Sequence, residues 1–322
     1  MRIVWVSFAP LRKTAGGFTS DLASVRYRIT IPAAAIPGSK LTYVGPGANR
    51  RTLLGRFEGA QVAVLGKLNV PELADEVPAL AAALRERGTK VLADYSDDHF
   101  HHPVLGSGYR ALANAADRVV ASTPGLAEVL KGHTTAPVSV ITDPVEGEQG
   151  EPRASARQPA ELLWFGHPLS LDTLRFGLPQ LAAQSTGYSL TVLSAPDAGA
   201  EELGHRFKPW STAALFDELR ACDAVIIPSD PYDPRKAVKS PNRFTEALWA
   251  GRFVIAHPLP AYEPLAGFGW VGEDLGAGLA WFRRNPQEAL ERIRAGQVWA
   301  ARHCSREAVA LAWKSAIGAG SS

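Results

Sequence analysis

Residues 224–260 read A-V-I-I-P-S-D-P-Y-D-P-R-K-A-V-K-S-P-N-R-F-T-E-A-L-W-A-G-R-F-V-I-A-H-P-L-P, and the order of residue types predicts strand, polar loop, helix, glycine stop and second strand. This is a βαβ unit, which requires a parallel sheet. Ser240 suits the N-cap and Pro241 the first helical position, so the backbone N–H groups of Asn242 and Arg243 are left without intrahelical acceptors. Lys239 and Arg243 flank that turn with positive charge, and anions bind at such helix starts. Glu246 follows Asn242 by one turn on roughly the same face, where its carboxylate can accept hydrogen bonds from sugar hydroxyls. A ligand with phosphate at one end and a diol at the other, a nucleotide or nucleotide-sugar, fits this set. A solvated Ser-Pro helix start with a surface glutamate is the alternative that the residues alone leave open.

The same alternation extends in both directions. Toward the N-terminus, strands are expected at Ile3–Val6, Leu41–Val44, Val62–Leu65, Val91–Ala93, Val119–Ala121 and Val138–Ile141, with helices at Ser20–Ala35, Pro78–Arg87, Tyr109–Ala116 and Pro124–Lys131. Residues 146–160, E-G-E-Q-G-E-P-R-A-S-A-R-Q-P-A, have no apolar period and predict a linker. Beyond it come strands at Leu162–Phe165, Ser189–Leu193, Ala224–Pro228 and Phe253–Ala256. Helices are expected at Leu171–Ser185, Thr212–Ala221 and Asn242–Ala250, then two more over Pro286–Ile317 broken around His303–Ser305. The expected organisation is an N-terminal Rossmann-like domain over 1–146, a linker over 147–160 and a C-terminal Rossmann-like domain over 161–322, whose last helix can pack back on the N-terminal domain. The fold class is α/β, two doubly wound parallel sheets facing a cleft.

Bulk composition narrows the function classes. The chain has 322 residues, 46% hydrophobic and 20% charged, and a net charge of +2, which gives no nucleic-acid signature. Its two cysteines, Cys222 and Cys304, lack metal-ligand spacing and suit a reducing cytoplasm. No run of about 18 apolar residues predicts a membrane helix, although Trp and Arg surfaces are compatible with peripheral membrane contact. No G-x-S-x-G, P-loop or G-x-G-x-x-G pattern is present, which argues against a serine hydrolase, a P-loop NTPase and a dinucleotide dehydrogenase.

Further candidates follow strands of the first half. The run D-Y-S-D-D-H-F-H-H at 94–102 places Asp97, Asp98 and His99 after a strand, at the rim of the expected cleft. Catalytic or acceptor-positioning chemistry by Asp98 and His99 is one reading, a metal site another and a solvated loop the third. Arg26 and Arg28 do not share a helix face, so only one of them can face a phosphate; the alternative is a solvated amphipathic helix. Lys67 also follows a strand.

Taken with G-G at Gly16 and Gly17, A-D-R-V-V-A-S-T-P-G-L-A-E-V-L at 116–130, V-I-T-D-P-V at 140–145 and L-L-W-F-G at 162–166, the segment quoted first resembles the GT-B glycosyltransferases of the GT4-like group. The resemblance spans most of the chain. It implies transfer of a sugar from a nucleoside diphosphate sugar to an acceptor hydroxyl on a glycan, a lipid-linked saccharide or a small molecule, with retention of configuration; no metal or cofactor is expected, because cations and a helix terminus take the metal's place. It also implies that His167, Lys239, Ser240, Asn242 and Arg243 face the donor diphosphate and Glu246 the ribose. Gly16, Gly17, Arg26, Arg28 and Lys67 would serve acceptor or phosphate, and Asp98 or His99 the catalytic step. Two departures stand out: Val238 occupies the place of the group's usual first glutamate, and Gly166-His167-Pro168-Leu169 stands where Arg and Lys often follow the glycine. A nucleotide-sugar 2-epimerase and a non-catalytic nucleotide-sugar-binding subunit are the alternatives.

Overall fold

The computed structural model describes residues 1–48, 50–155, 157–182, 187–196, 199 and 201–318. The expected end of the helix at 171–185, one linker position and the last four residues lie outside these. The chain divides into two compact units. The first comprises Met1–Pro144, Val238–Ser240 and Ser305–Ser322, and the second Val145–Ala237 and Pro241–Cys304.

The first unit holds β1 (Ile3–Ser7), β2 (Arg12–Thr14), β3 (Gly17–Thr19), β4 (Ser39–Tyr43), β5 (Val62–Leu65), β6 (Lys90–Tyr95), β7 (Arg118–Ala121) and β8 (Val138–Val140). Six of these form one sheet in the order β4-β1-β5-β6-β7-β8, with every neighbouring pair parallel. Alternate residues of each strand enter opposite cores, as the period of two requires. Val4, Val6, Ala63, Leu65, Val91 and Ala93 pack on one face, under the helices Glu76–Glu86, Gly106–Ala115 and Pro124–Lys131. Ile3, Trp5, Val62, Val64 and Leu92 pack on the other, against Ile29, Ala33 and the C-terminal helix Arg306–Gly318, whose Trp313 meets Trp5 edge-on at 5.0 Å.

Sequence periodicity at 20–35 predicted one helix, and the structure breaks it into three pieces. A π turn over Arg26–Thr30 joins Ala23–Val25 to Ile31–Ala35, with the Ile31 amide bonding back to the Arg26 carbonyl. Pro32 has no N–H to continue the regular ladder, and a π turn is one way a helix absorbs such an interruption.

The second unit holds β9 (Ala160–Phe165), β10 (Tyr188–Ser194), β11 (Arg206–Pro209), β12 (Ala224–Ile227), β13 (Phe253–Ala256) and β14 (Trp270–Val271), in the all-parallel order β11-β10-β9-β12-β13-β14. This is strand order 3-2-1-4-5-6, with the topological switch between β9 and β12. The local sequence did not announce β11 or β14: one is an exposed edge strand with a proline, the other has two residues. Residues 147–155 run along the end of the Asn242–Trp249 helix, where Gly150 N donates to Trp249 O and Arg153 N to Gly251 O. That helix stops as the sequence predicts. Gly251 is left-handed (φ +76), Arg252 N reaches back to Ala247 O, and a Cβ on Gly251 would stand 2.3 Å from the Glu151 carbonyl. Cys222 and Cys304 are both buried and form no disulfide, and burial pushes the Cys222 thiol up to about 12.

Candidate functional site

In the second unit the switch point gathers the polar groups. Gly166 and His167 follow β9, Ser229 follows β12 and His257 follows β13, so all four stand at carboxyl ends of adjacent strands. Ligands of open α/β sheets bind there. The chain leaving β12 passes a short helix, Pro234–Ala237, before the helix Asn242–Trp249 begins.

The start of that helix departs from the sequence expectation. Pro241, not Ser240, is the N-cap residue, and no side chain caps the turn. Phe244 N and Thr245 N both bond to Pro241 O, while the Asn242 and Arg243 amides are first-turn donors that helix geometry leaves to an outside acceptor. Ser240, counted with the first unit, buries a hydroxyl that has no hydrogen-bond partner.

Arg243 carries the second anomaly. Among the described residues its buried Nη1 has no partner, and an unsatisfied buried donor costs about 1–3 kcal/mol. The guanidinium is held from one side, because Arg243 and Ser229 both hydrogen-bond the phenol of Tyr262, itself raised by burial. A glycine at 166 keeps the other side open: a Cβ there would lie 3.0 Å from the Trp164 ring and 3.6 Å from Arg243 Nη1. One turn further on, Glu246 is 2% exposed and its Oε1 accepts a 2.8 Å hydrogen bond from Glu146 N. His167 is exposed, and its Nδ1 accepts from Leu169 N at 3.2 Å. Sequence reasoning missed Ser229, Tyr262 and His257. His257 Nδ1 sits 2.7 Å from Ser229 O and its Nε2 2.9 Å from Gln180 Oε1, and burial lowers its pKa. The only local signal was their position just past strand ends.

In the first unit the candidates separate into two groups. Arg28 is 1% exposed, and its guanidinium is spent on Asp94 (Nη2 to Oδ1, 2.7 Å), Asp143 (Nη1 to Oδ1, 3.1 Å) and the Ile141 carbonyl. It also lies 5.5 Å from the Trp313 ring centroid. Arg26 donates to the carbonyls of Ser20 and Asp21 at 3.0 Å each. Neither arginine is a solvated helix residue and neither presents itself to a phosphate: the π turn folds both inward, onto backbone and acid groups. Gly16 and Gly17 are exposed at the tip of the β2–β3 hairpin.

The other group is brought together. Lys67, from the segment after β5, and Lys239 both pair with Asp97, one on each carboxylate oxygen. Asp97 is 9% exposed and held down at about 2: burial pushes it up, and the two ammonium groups more than reverse that. His99 is lowered by burial first and Lys67 second, which leaves its imidazole neutral near pH 7. Its ring meets Tyr109 at 5.3 Å, and the Tyr109 hydroxyl is buried without a partner. Asp98 Oδ1 accepts from Phe100 N at 3.1 Å. Val238 is buried in the first unit's core, and its carbonyl accepts from Thr123 Oγ1 at 2.9 Å. Among the described residues, no group of three or more His, Cys, Asp or Glu side chains is placed to hold a metal ion. No helix among them is long and apolar enough to cross a membrane.

No protein-family model and no curated protein sequence matches the chain. Solved structures do. The crystal structure of Anabaena HepE in complex with UDP-glucose is similar over 99% of this chain and 100% of that one, with a TM-score of 0.73 at 10% identity. The apo form of the lipopolysaccharide outer core galactosyltransferase WaaB is similar over 99% of both chains, with a TM-score of 0.63 at 13% identity. Staphylococcus aureus TarM gives 0.63 at 9% identity, over 83% of this chain and 58% of its own. The fold is that of the GT-B glycosyltransferases. Two Rossmann-like domains, each a six-stranded parallel sheet flanked by helices, are the architecture the sequence predicted.

Proposed function

We propose that the protein is a glycosyltransferase that takes its sugar from a nucleoside diphosphate donor, with a uridine nucleotide as the first candidate. The observation that carries this reading is Arg243. A buried guanidinium nitrogen with no partner stands beside a glycine at the switch point of a parallel sheet, on an uncapped helix turn. A phosphate group there would give Nη1 the acceptor it lacks, and first-turn amides are the usual partners of such a group. The fold is shared with HepE, which is solved with UDP and with UDP-glucose.

On this reading the leaving diphosphate gains charge as the sugar–oxygen bond breaks, and Arg243 and the helix amides of the second unit offset that charge, with Lys239 a further candidate cation. Glu246, already ordered by the Glu146 amide, is the carboxylate assigned to the ribose diol. The neutral His99 imidazole is suited to hold or receive the acceptor hydroxyl's proton, with Asp98 as the other candidate base. These cations supply the charge that a metal ion would otherwise bring, so the proposed step is metal-independent. Retention of configuration belongs to the same proposal, and the anomeric signal of the product by nuclear magnetic resonance tests it.

The deciding experiment is calorimetric titration with UDP and UDP-glucose, followed by donor turnover with a panel of acceptors. Binding of UDP that weakens about tenfold to a hundredfold in Arg243→Ala, with the fold intact, is expected; equal binding by both proteins would sink the assignment. One observation favours a second reading, a nucleotide-sugar-binding subunit without turnover. Val238 buries an apolar side chain where the resemblance expects an acid. That reading requires tight donor binding with no product from any acceptor, and any measured transfer removes it.

A further inference from the structure

The first unit holds a charged arrangement that neither the sequence reading nor the proposed function explains: a buried carboxylate shared by two lysines that are 172 positions apart (239 − 67). Lys67 comes from the segment after β5, and Lys239 from the three-residue stretch that belongs to this unit. Asp97 Oδ2 takes Lys67 and Oδ1 takes Lys239, so two ammonium groups that repel each other are fixed on one acid. Each ammonium spends one of its three donors on the carboxylate. Their side chains are 19% and 45% exposed, so the remaining donors can be reached. One acid against two cations leaves a net positive charge. An acid placed only to neutralise a lysine would need one partner, not two.

We propose that Asp97 is a positioning residue that sets Lys67 and Lys239 as a paired clamp for a phosphate group. This rests on the reading above in one respect: the phosphate is taken to belong to a nucleotide. The carboxylate does not touch the ligand. It supplies the order that two long, flexible side chains would otherwise lose on binding.

The test is titration of the full chain with UDP, uridine and inorganic pyrophosphate, for the wild type, Asp97→Asn, Asp97→Glu and Lys239→Gln. Asparagine keeps the shape and removes the charge. We expect Asp97→Asn to weaken UDP and pyrophosphate about tenfold, the order of one charge-assisted contact, to leave uridine unchanged, and to be partly rescued in Asp97→Glu. Lys239→Gln, at a half-exposed site, should show the same loss, and adding Asp97→Asn to it should cost little more, because both act through one clamp. If UDP and uridine weaken in parallel, or if UDP binds more tightly once the acid is gone, the clamp is wrong, and tighter binding would mean that Asp97 withholds Lys239 from the ligand. A wild type that binds pyrophosphate in an Asp97-dependent way but shows no preference for UDP removes the nucleotide-sugar reading and keeps the clamp. A wild type that binds neither overturns both.

Discussion

Arg28 in the first unit and Arg243 in the second were both candidates for holding phosphate, and the two sites treat a guanidinium in opposite ways. Arg28 is surrounded by acceptors: two carboxylates and a carbonyl take its donors, and an indole covers it. Arg243 is anchored at one side by Tyr262, and its Nη1 faces a place with no protein acceptor. A fully partnered buried cation belongs to the architecture, because any ligand would have to break bonds already made. A buried cation with an idle donor costs stability in the free protein and recovers it when an anion arrives. The contrast sets a partnered, structural charge against one that the proposed function assigns to a ligand.

The comparison can be broken most directly at Arg28. Arg28→Met leaves Asp94 and Asp143 buried and uncompensated, and the expected loss is about 3–5 kcal/mol of stability, read by urea denaturation. A change below about 1 kcal/mol would show that the cluster is not structural. Next in size, Trp313→Ala removes both the cover over Arg28 and the contact with Trp5, and a loss of about 3–4 kcal/mol is expected in the same assay. For Arg243→Ala the sign reverses. Stability should change little or rise, whereas UDP affinity should fall about tenfold to a hundredfold by calorimetry, as for loss of a charge-assisted contact.

Asp97 offers a finer test. Its carboxyl is held at about 2 in the folded chain, below its ordinary 3.8, so its ion pairs stabilise the protein above pH about 4, and that stability is lost as pH falls through about 2. Lys239 is 45% exposed and solvent screens it, so about 1–2 kcal/mol is the expected share. Asp97→Asn should flatten the acid side of a stability–pH profile by that amount, and an unaltered profile would contradict the pairing. The smallest effect is reserved for Glu246→Gln, which keeps the acceptor for the Glu146 amide. UDP should weaken about threefold to fivefold, with uridine affected equally because the proposed contact is to ribose.

The fold was legible because strand and helix periods alternate strictly and because Gly251 closes its helix with a backbone angle that few other residues adopt. The places where reading failed share a physical cause. Arg28 finds its acids 66 and 115 positions away, and no local pattern carries such a pairing. Ser240 looked like a cap by residue type, but the backbone at Pro241 took that position and left the hydroxyl buried. Asp97 was visible beside Asp98 in the 94–102 run, yet only the folded chain shows which of the two gathers the lysines. The edge strands β11 and β14 are made by their neighbours rather than by their own composition.

Both thiols of the chain are hidden, and Cys222 is pushed to about 12, so thiolate, the species that alkylates, is scarce at neutral pH. A maleimide dye would therefore find the native protein nearly inert. Tyr232→Cys, at an 85% exposed site in the second unit, or Leu311→Cys, at a 69% exposed site in the first, would each take a single label without removing either native cysteine. A fluorescent pair on the double variant turns the protein into a ruler that can be read in real time while candidate ligands are added.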